Sequence, residues 1–142
     1  MSGPLSIHAS AVAVGSAGLL IIGPSGSGKS GLALFLMTMG ARLVADDRVD
    51  LFRDGDGPPV ARAPESLSGL IEARGVGLIR VDAKPSVRLR AVVDLAEVEG
   101  ERLPQRCEKL LLDYPLRLFH KVESPHFAPA LLHYLKSETD ET

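Results

Sequence analysis

The run Gly23-Pro24-Ser25-Gly26-Ser27-Gly28-Lys29-Ser30 fills every fixed position of the spacing Gly-x-x-x-x-Gly-Lys-[Ser/Thr]. Glycines without a Cβ let a backbone turn tightly and aim successive N–H groups at one point, where a following helix adds the positive end of its dipole. Phosphate oxygens suit such a cradle. Lys29 would then bring a compact positive charge to the terminal phosphates, and the Ser30 hydroxyl would ligate a bridging magnesium ion (Mg2+). At ordinary glycine usage the four fixed positions coincide by chance in about one chain in a few hundred. The plainer alternative is a glycine turn that caps a helix and binds nothing.

The flanks argue for the cradle. Leu19 to Ile22 reads as a short buried strand, and Leu32, Phe35, Leu36 and Met39 fall at helical spacing, with Gly40 placed to end the helix in a left-handed cap. Ahead of that strand, Ser6 to Val14 is rich in small and β-branched residues, and Gly15 to Gly18 offers a turn, so a hairpin is expected before the loop. His8 sits on its leading strand. After the helix, Arg42 to Ala45 reads as a strand ending in Asp46-Asp47. A carboxylate at the end of a neighbouring strand can hold a metal or its water. Because strand residues alternate faces, one of the pair is expected to face the phosphates and the other to brace the loop; a solvated turn is the alternative.

Val49 to Arg53 and Val60 to Arg62 form a second expected hairpin about the turn Asp54 to Pro59. Pro64 to Glu72 reads as a short helix running into Ala73 to Arg80, with Glu72 and Arg74 beside a glycine-bearing segment. That pair could bind metal and phosphate, or form a surface ion pair worth under about 1 kcal/mol. Ser86 to Leu95 alternates as a strand through Val87, Leu89, Ala91, Val93 and Leu95, and Arg106 to Leu112 makes another. Pro115, Pro125 and Pro129 interrupt the next stretch; a terminal helix is expected around Ala130 to Lys136, with residues 137–142 a polar tail.

The 142 residues suit one domain, taken as 1–136. Sixteen Lys and Arg against 18 acidic residues give no field for nucleic acid. No apolar run spans a membrane, and Met1 to Leu5 lacks the charged start and apolar core of a signal peptide, so a cytoplasmic location is expected. The single cysteine, Cys107, excludes an internal disulfide and reads as a strand residue without chemistry. His120, His126 and His133 have no metal-binding spacing.

Four segments in order, Ile7-His8-Ala9-Ser10, the glycine loop, Leu43-Val44-Ala45-Asp46-Asp47-Arg48-Val49, and Pro64-Glu-Ser-Leu-Ser-Gly-Leu-Ile-Glu-Ala-Arg-Gly-Val-Gly-Leu-Ile79, resemble the catalytic domain of the HPr kinase/phosphorylase family. The resemblance implies an α/β fold with a P-loop nucleotide-binding domain of the phosphoenolpyruvate carboxykinase-like type, whose mixed sheet has a hairpin preceding the phosphate loop. It implies phosphorylation of a serine on an HPr-type phosphocarrier protein using ATP, or pyrophosphate in some members, and reversal by inorganic phosphate. Carried onto this sequence, it makes Lys29 a phosphate ligand, Ser30 and Glu72 magnesium ligands, and Asp47, with Asp46 beside it, the acceptor of the serine proton. It sets His8 next to the aspartates and Arg74 in the segment that shapes the site.

Relatives of this short kind imply a partner from a nitrogen-type phosphotransferase system. The amino-terminal domain of longer relatives is expected to be absent, along with regulation and assembly built on it; a homo-oligomer remains compatible with the resemblance. The family's later Pro-Gly-Arg-Asn loop has no recognisable counterpart, and Arg117 in Tyr114-Pro-Leu-Arg-Leu118 is the arginine nearest its place. Competing readings are a small-molecule kinase and a nucleotide-sensing module that transfers nothing. A sensor does not need Asp47 as a base, whereas a serine kinase does.

Overall fold

The computed structural model describes residues 4–137. In chain order the elements are β1 (Leu5–Ile7), β2 (Ser10–Val14), β3 (Ala17–Ile22), α1 (Lys29–Thr38), β4 (Arg42–Ala45), β5 (Val49–Phe52) and β6 (Val60–Arg62). A 3-10 turn (Glu65–Leu67) leads to β7 (Leu70–Ala73), β8 (Gly77–Arg80), β9 (Val87–Val98), β10 (Cys107–Leu111), β11 (Tyr114–Lys121) and α2 (Phe127–Lys136). The main sheet is nine-stranded and mixed, in the order β1-β5-β6-β9-β3-β2-β4, with β11 also on β9 and β10 on β11. A separate ribbon pairs β7 with β8.

The long strand β9 is the spine. Its first residues pair antiparallel with β6, and its remainder pairs parallel with β3 on one side and β11 on the other. Both faces are buried. Leu19, Ile21, Ala91, Val93 and Leu95 face a core completed by Leu36 of α1 and by Leu131, Leu132 and Leu135 of α2. Leu20, Val87, Leu89 and Val92 face a second core closed by strand residues such as Val49 and Leu51. Covering both faces removes apolar surface from water on each, the main favourable contribution to folding.

Several expectations are corrected here. The alternation from Val87 to Leu95 does not lie on one face: Gly18 pairs with Leu89 and Leu19 with Ala91, so Arg90 is an extra residue that switches the faces. Pro64 to Glu72 is not a helix. Only a 3-10 turn forms before Gly69, whose positive φ of 77° breaks it, and β7 then buries Ile71 and turns Glu72 outward. His8 lies in a bend between β1 and β2, because β1 leaves β2 to pair with β5.

The stretch after Leu112 holds β11, which the prolines hid. Leu112 and Asp113, at φ 50° and 66°, make the two-residue turn from β10, with both central residues left-handed as tight hairpins require. Pro115 precedes the residues that pair with β9, where its missing N–H costs no ladder bond. Pro129 lies in the first turn of α2, where backbone N–H groups have no helical partner, so the helix begins at Phe127 rather than Ala130. Phe35, expected on the apolar face of α1, is 56% exposed, while Ala33 and Leu36 are buried. Of the polar tail expected over residues 137–142, all but Ser137 lies outside the described residues.

Candidate active site

The glycine loop joins the end of β3 to the start of α1. A Cβ on Gly23 would stand 2.6 Å from the Ser27 Oγ and 3.2 Å from the Leu95 Cβ, at a φ of 149°, so the loop closes on itself only with glycine there. Gly28, at φ 102°, occupies the cap position of α1, which has no side-chain cap, and leaves its first-turn amides to whatever the loop encloses. The Ser27 N–H donates to the Pro24 carbonyl at 3.1 Å. The Ser27 Oγ is buried and has no hydrogen-bond partner among the described residues. Lys29, the first residue of α1, folds its Nζ back to the carbonyls of Gly23 (2.8 Å) and Pro24 (3.2 Å).

Asp46 fixes the floor. It is 4% exposed, and its Oδ1 accepts hydrogen bonds from Ser30 Oγ of α1 and Ser10 Oγ of β2, each at 2.7 Å. Its Oδ2 accepts from the Glu72 backbone N–H at 3.0 Å. One carboxylate thus ties together a helix and two strands, and charge-assisted bonds of this kind are the strong ones. Asp47 differs in every respect. It is exposed, has a left-handed φ of 72°, and receives the Ala9 N–H on its own carbonyl at 3.3 Å. Positive φ is uncommon outside glycine, and aspartate tolerates it better than most residues.

A cavity of about 370 Å³ is lined by Ser25, Gly26, Gly28, Lys29 and Ser30 of the loop and helix start together with Asp46, Asp47, Glu72 and Arg74. Gly23, Pro24 and Ser27 shape the loop without lining that cavity. His8 does not line it either: it is exposed, with its Nε2 3.1 Å from an Nη of Arg48. The Ala9-to-Asp47 backbone bond nevertheless puts His8 one residue from the segment that touches Asp47. Arg117 lines a different cavity altogether. Sequence reasoning missed Ser10 and Arg48; the one signal for Ser10 was a hydroxyl in a strand of small apolar residues. A larger cavity, about 790 Å³, lies beside β1 and β5, away from the glycine loop. Its Arg53 is spent on the backbone carbonyls of Asp56, Gly57 and Leu112, so size there does not indicate chemistry.

No group of three or more His, Cys, Asp or Glu side chains gathers for a metal among the described residues. Oxygen donors that line the cavity, Ser30, Asp46 and Glu72 among them, fit magnesium, which takes few protein ligands and prefers waters and phosphate oxygens.

The family model described as HPr Serine kinase C-terminal domain matches residues 1–113. The chain belongs to that family. Among curated relatives, the HPr kinase/phosphorylase of Lactobacillus johnsonii is 50% identical over 76 residues, covering 54% of this chain and 24% of the relative. That of Acidovorax sp. is 42% identical over 99 residues, covering 61% of this chain and 31% of the relative. That of Limosilactobacillus reuteri is 38% identical over 112 residues, covering 71% and 35%. The matches therefore span a quarter to about a third of the length of these HPr kinase/phosphorylases. The structure of the Hpr(Ser) kinase/phosphatase from Coxiella burnetii superposes with a TM-score of 0.75 at 22% identity, covering 92% of this chain and 87% of that one. The mixed α/β fold of this HPr kinase C-terminal domain is thus shared with that protein.

Proposed function

We propose that this domain is a protein-serine kinase that transfers the γ-phosphoryl group of ATP to an HPr-type phosphocarrier, with a nitrogen-type phosphotransferase system supplying the carrier. The observation that carries the reading is the division of labour between adjacent aspartates: Asp46 is buried and bound to Ser30, while Asp47 stands exposed in the same cavity as Lys29. In this reading the loop is a P-loop on a phosphoenolpyruvate carboxykinase-like scaffold, with the hairpin of β2 and β3 ahead of it. Amides of Gly26 to Ser30 and the Lys29 ammonium hold the phosphates, and Glu72 and Ser30 hold magnesium. The metal supplies neutralisation of charge on the transferred group.

The serine oxygen forms its bond to the γ-phosphorus in line as the bond to the ADP oxygen breaks, and the serine proton passes to Asp47. Arg74, which lines the same cavity, pairs in this reading with phosphoryl oxygens that gain charge. In reverse, inorganic phosphate attacks phosphoserine, protonated Asp47 returns the proton to the serine oxygen, and pyrophosphate leaves. His8 positions the Asp47 segment from outside.

Incubating the purified chain with γ-labelled ATP, Mg2+ and a panel of HPr-type carriers tests this, followed by excess phosphate. Label on a carrier serine is expected, and its release as pyrophosphate identifies the reverse reaction. Asp47→Ala is expected to keep nucleotide affinity within about tenfold, about 1.4 kcal/mol, while transfer falls by orders of magnitude. ATP binding without labelling of any carrier would favour a nucleotide-sensing module instead. Undiminished transfer by Asp47→Ala would remove the assigned base.

A further inference from the structure

Arg117 belongs to a second cavity, about 400 Å³, lined by Arg88, Arg90, Arg106 and Arg117 together with Tyr114 and Tyr134. It opens where β3, β9 and β11 begin, whereas the glycine loop follows the far end of β3, so the two cavities stand at opposite ends of the parallel strands. The local structure that gathers these arginines is specific. Arg90 is the extra residue where β9 shifts register against β3, and bulges re-aim side chains in this way. Its guanidinium lies 4.9 Å over the Tyr134 ring, and an Nη donates to the Ser137 carbonyl. Arg117 lies 4.6 Å over Phe119 and 5.9 Å over Tyr134, and those two rings meet edge to face at 5.0 Å.

Stacking occupies the faces of a guanidinium and fixes its plane, while its hydrogen-bonding fork remains in that plane. Arg88 pairs with Asp54 at 2.8 Å and Arg106 approaches Glu108 at 3.9 Å, both among half-exposed side chains where such pairs exchange readily with other anions. Arg88 also donates an Nη to the Pro58 carbonyl at 3.4 Å, so one guanidinium with five N–H donors serves more than one acceptor at once. The volume is that of a small-molecule site.

We propose that this arginine cleft is a second anion-binding site, distinct from the glycine-loop cavity, which takes a compact multivalent anion bearing phosphate or carboxylate groups. The test uses the full chain carrying Lys29→Ala, which weakens the first anion site. Inorganic pyrophosphate and citrate are titrated separately at constant ionic strength, and the arginine Nε–Hε resonances are followed by NMR. Saturable shifts of Arg90 and Arg117 are expected, with a Kd of about 1 mM or tighter. The probe that binds more tightly names the chemistry. Adding Arg88→Gln and Arg106→Gln, which leaves the two stacked arginines in place, is expected to weaken binding at least about tenfold while thermal unfolding stays unchanged.

Glu138, Asp140 and Glu141 follow directly on the Ser137 carbonyl held by Arg90. A chain ending at Ser137 is therefore titrated in parallel and is expected to bind at least as tightly. No saturable shift up to about 10 mM pyrophosphate or citrate, or undiminished affinity in a folded Arg88→Gln/Arg106→Gln protein, would overturn the site.

Discussion

Asp46 and Asp47 are neighbours in sequence with opposite physical situations. Asp46 accepts three hydrogen bonds in a buried setting, so Asp46→Ala leaves Ser10 and Ser30 hydroxyls and the Glu72 N–H without their acceptor. Charge-assisted bonds and stranded buried donors together predict a loss of about 3 kcal/mol, read as a lowered urea midpoint with unchanged slope. An unmoved midpoint would show that the carboxylate does not brace the loop. Asp47 should respond the other way. Its left-handed backbone costs an L-residue about 1 kcal/mol, which glycine avoids, so Asp47→Gly is expected to leave stability unchanged or raise it by up to about that amount while abolishing transfer. Lower stability in Asp47→Gly would mean that the exposed carboxylate makes folding contacts. The alternation argument expected one aspartate to face the phosphates and the other to brace the loop; that Asp46 is the buried one depends on Ser10, a residue far away in sequence.

At the scale of elements, α1 shows how far periodicity reaches. Leu36 is fully buried between the sheet and α2, whereas Phe35, one position earlier, is 56% exposed. Leu36→Ala is expected to cost about 2–5 kcal/mol by cavity formation, and Phe35→Gln less than about 0.5 kcal/mol, both by urea denaturation. A large loss for Phe35→Gln would indicate that this ring is covered in solution. The helix is apolar on nearly every side, so its sequence could not say which stripe meets the sheet; packing chose Ala33 and Leu36. The same limit hid β11, because its hairpin turn uses Leu112 and Asp113 in place of a glycine pair and its second residue is proline. β7 was misread for a related reason: Glu72 looks helical by propensity, yet pairing with β8 and burial of Ile71 override it.

Over the whole molecule, β3 and β9 are shared by two cores, one roofed by both helices and one enclosed by strands. Gly18 is where they meet most tightly: a Cβ there would stand 2.6 Å from Val87 Cγ1 and 2.7 Å from the Arg88 carbonyl. Gly18→Ala is therefore expected to destabilise by about 2 kcal/mol and to do so in one cooperative transition, because both cores lose the same spine; separate transitions in calorimetry and fluorescence would refute that coupling. By itself the amino-acid sequence determined the glycine loop with its lysine and serine, the strand before and helix after it, the hairpin ahead of them, and the family, because each depends on residues close together in the chain. Tertiary structure alone decided that Asp46 grips Ser30 while Asp47 projects, that His8 turns to Arg48 outside the cavity, and that β9 changes faces at Arg90. It also sent Arg117 to the opposite end of the sheet from the loop. Those outcomes depend on which strand lies beside which and in what register, and register is set by burial on both faces at once, which no local pattern records.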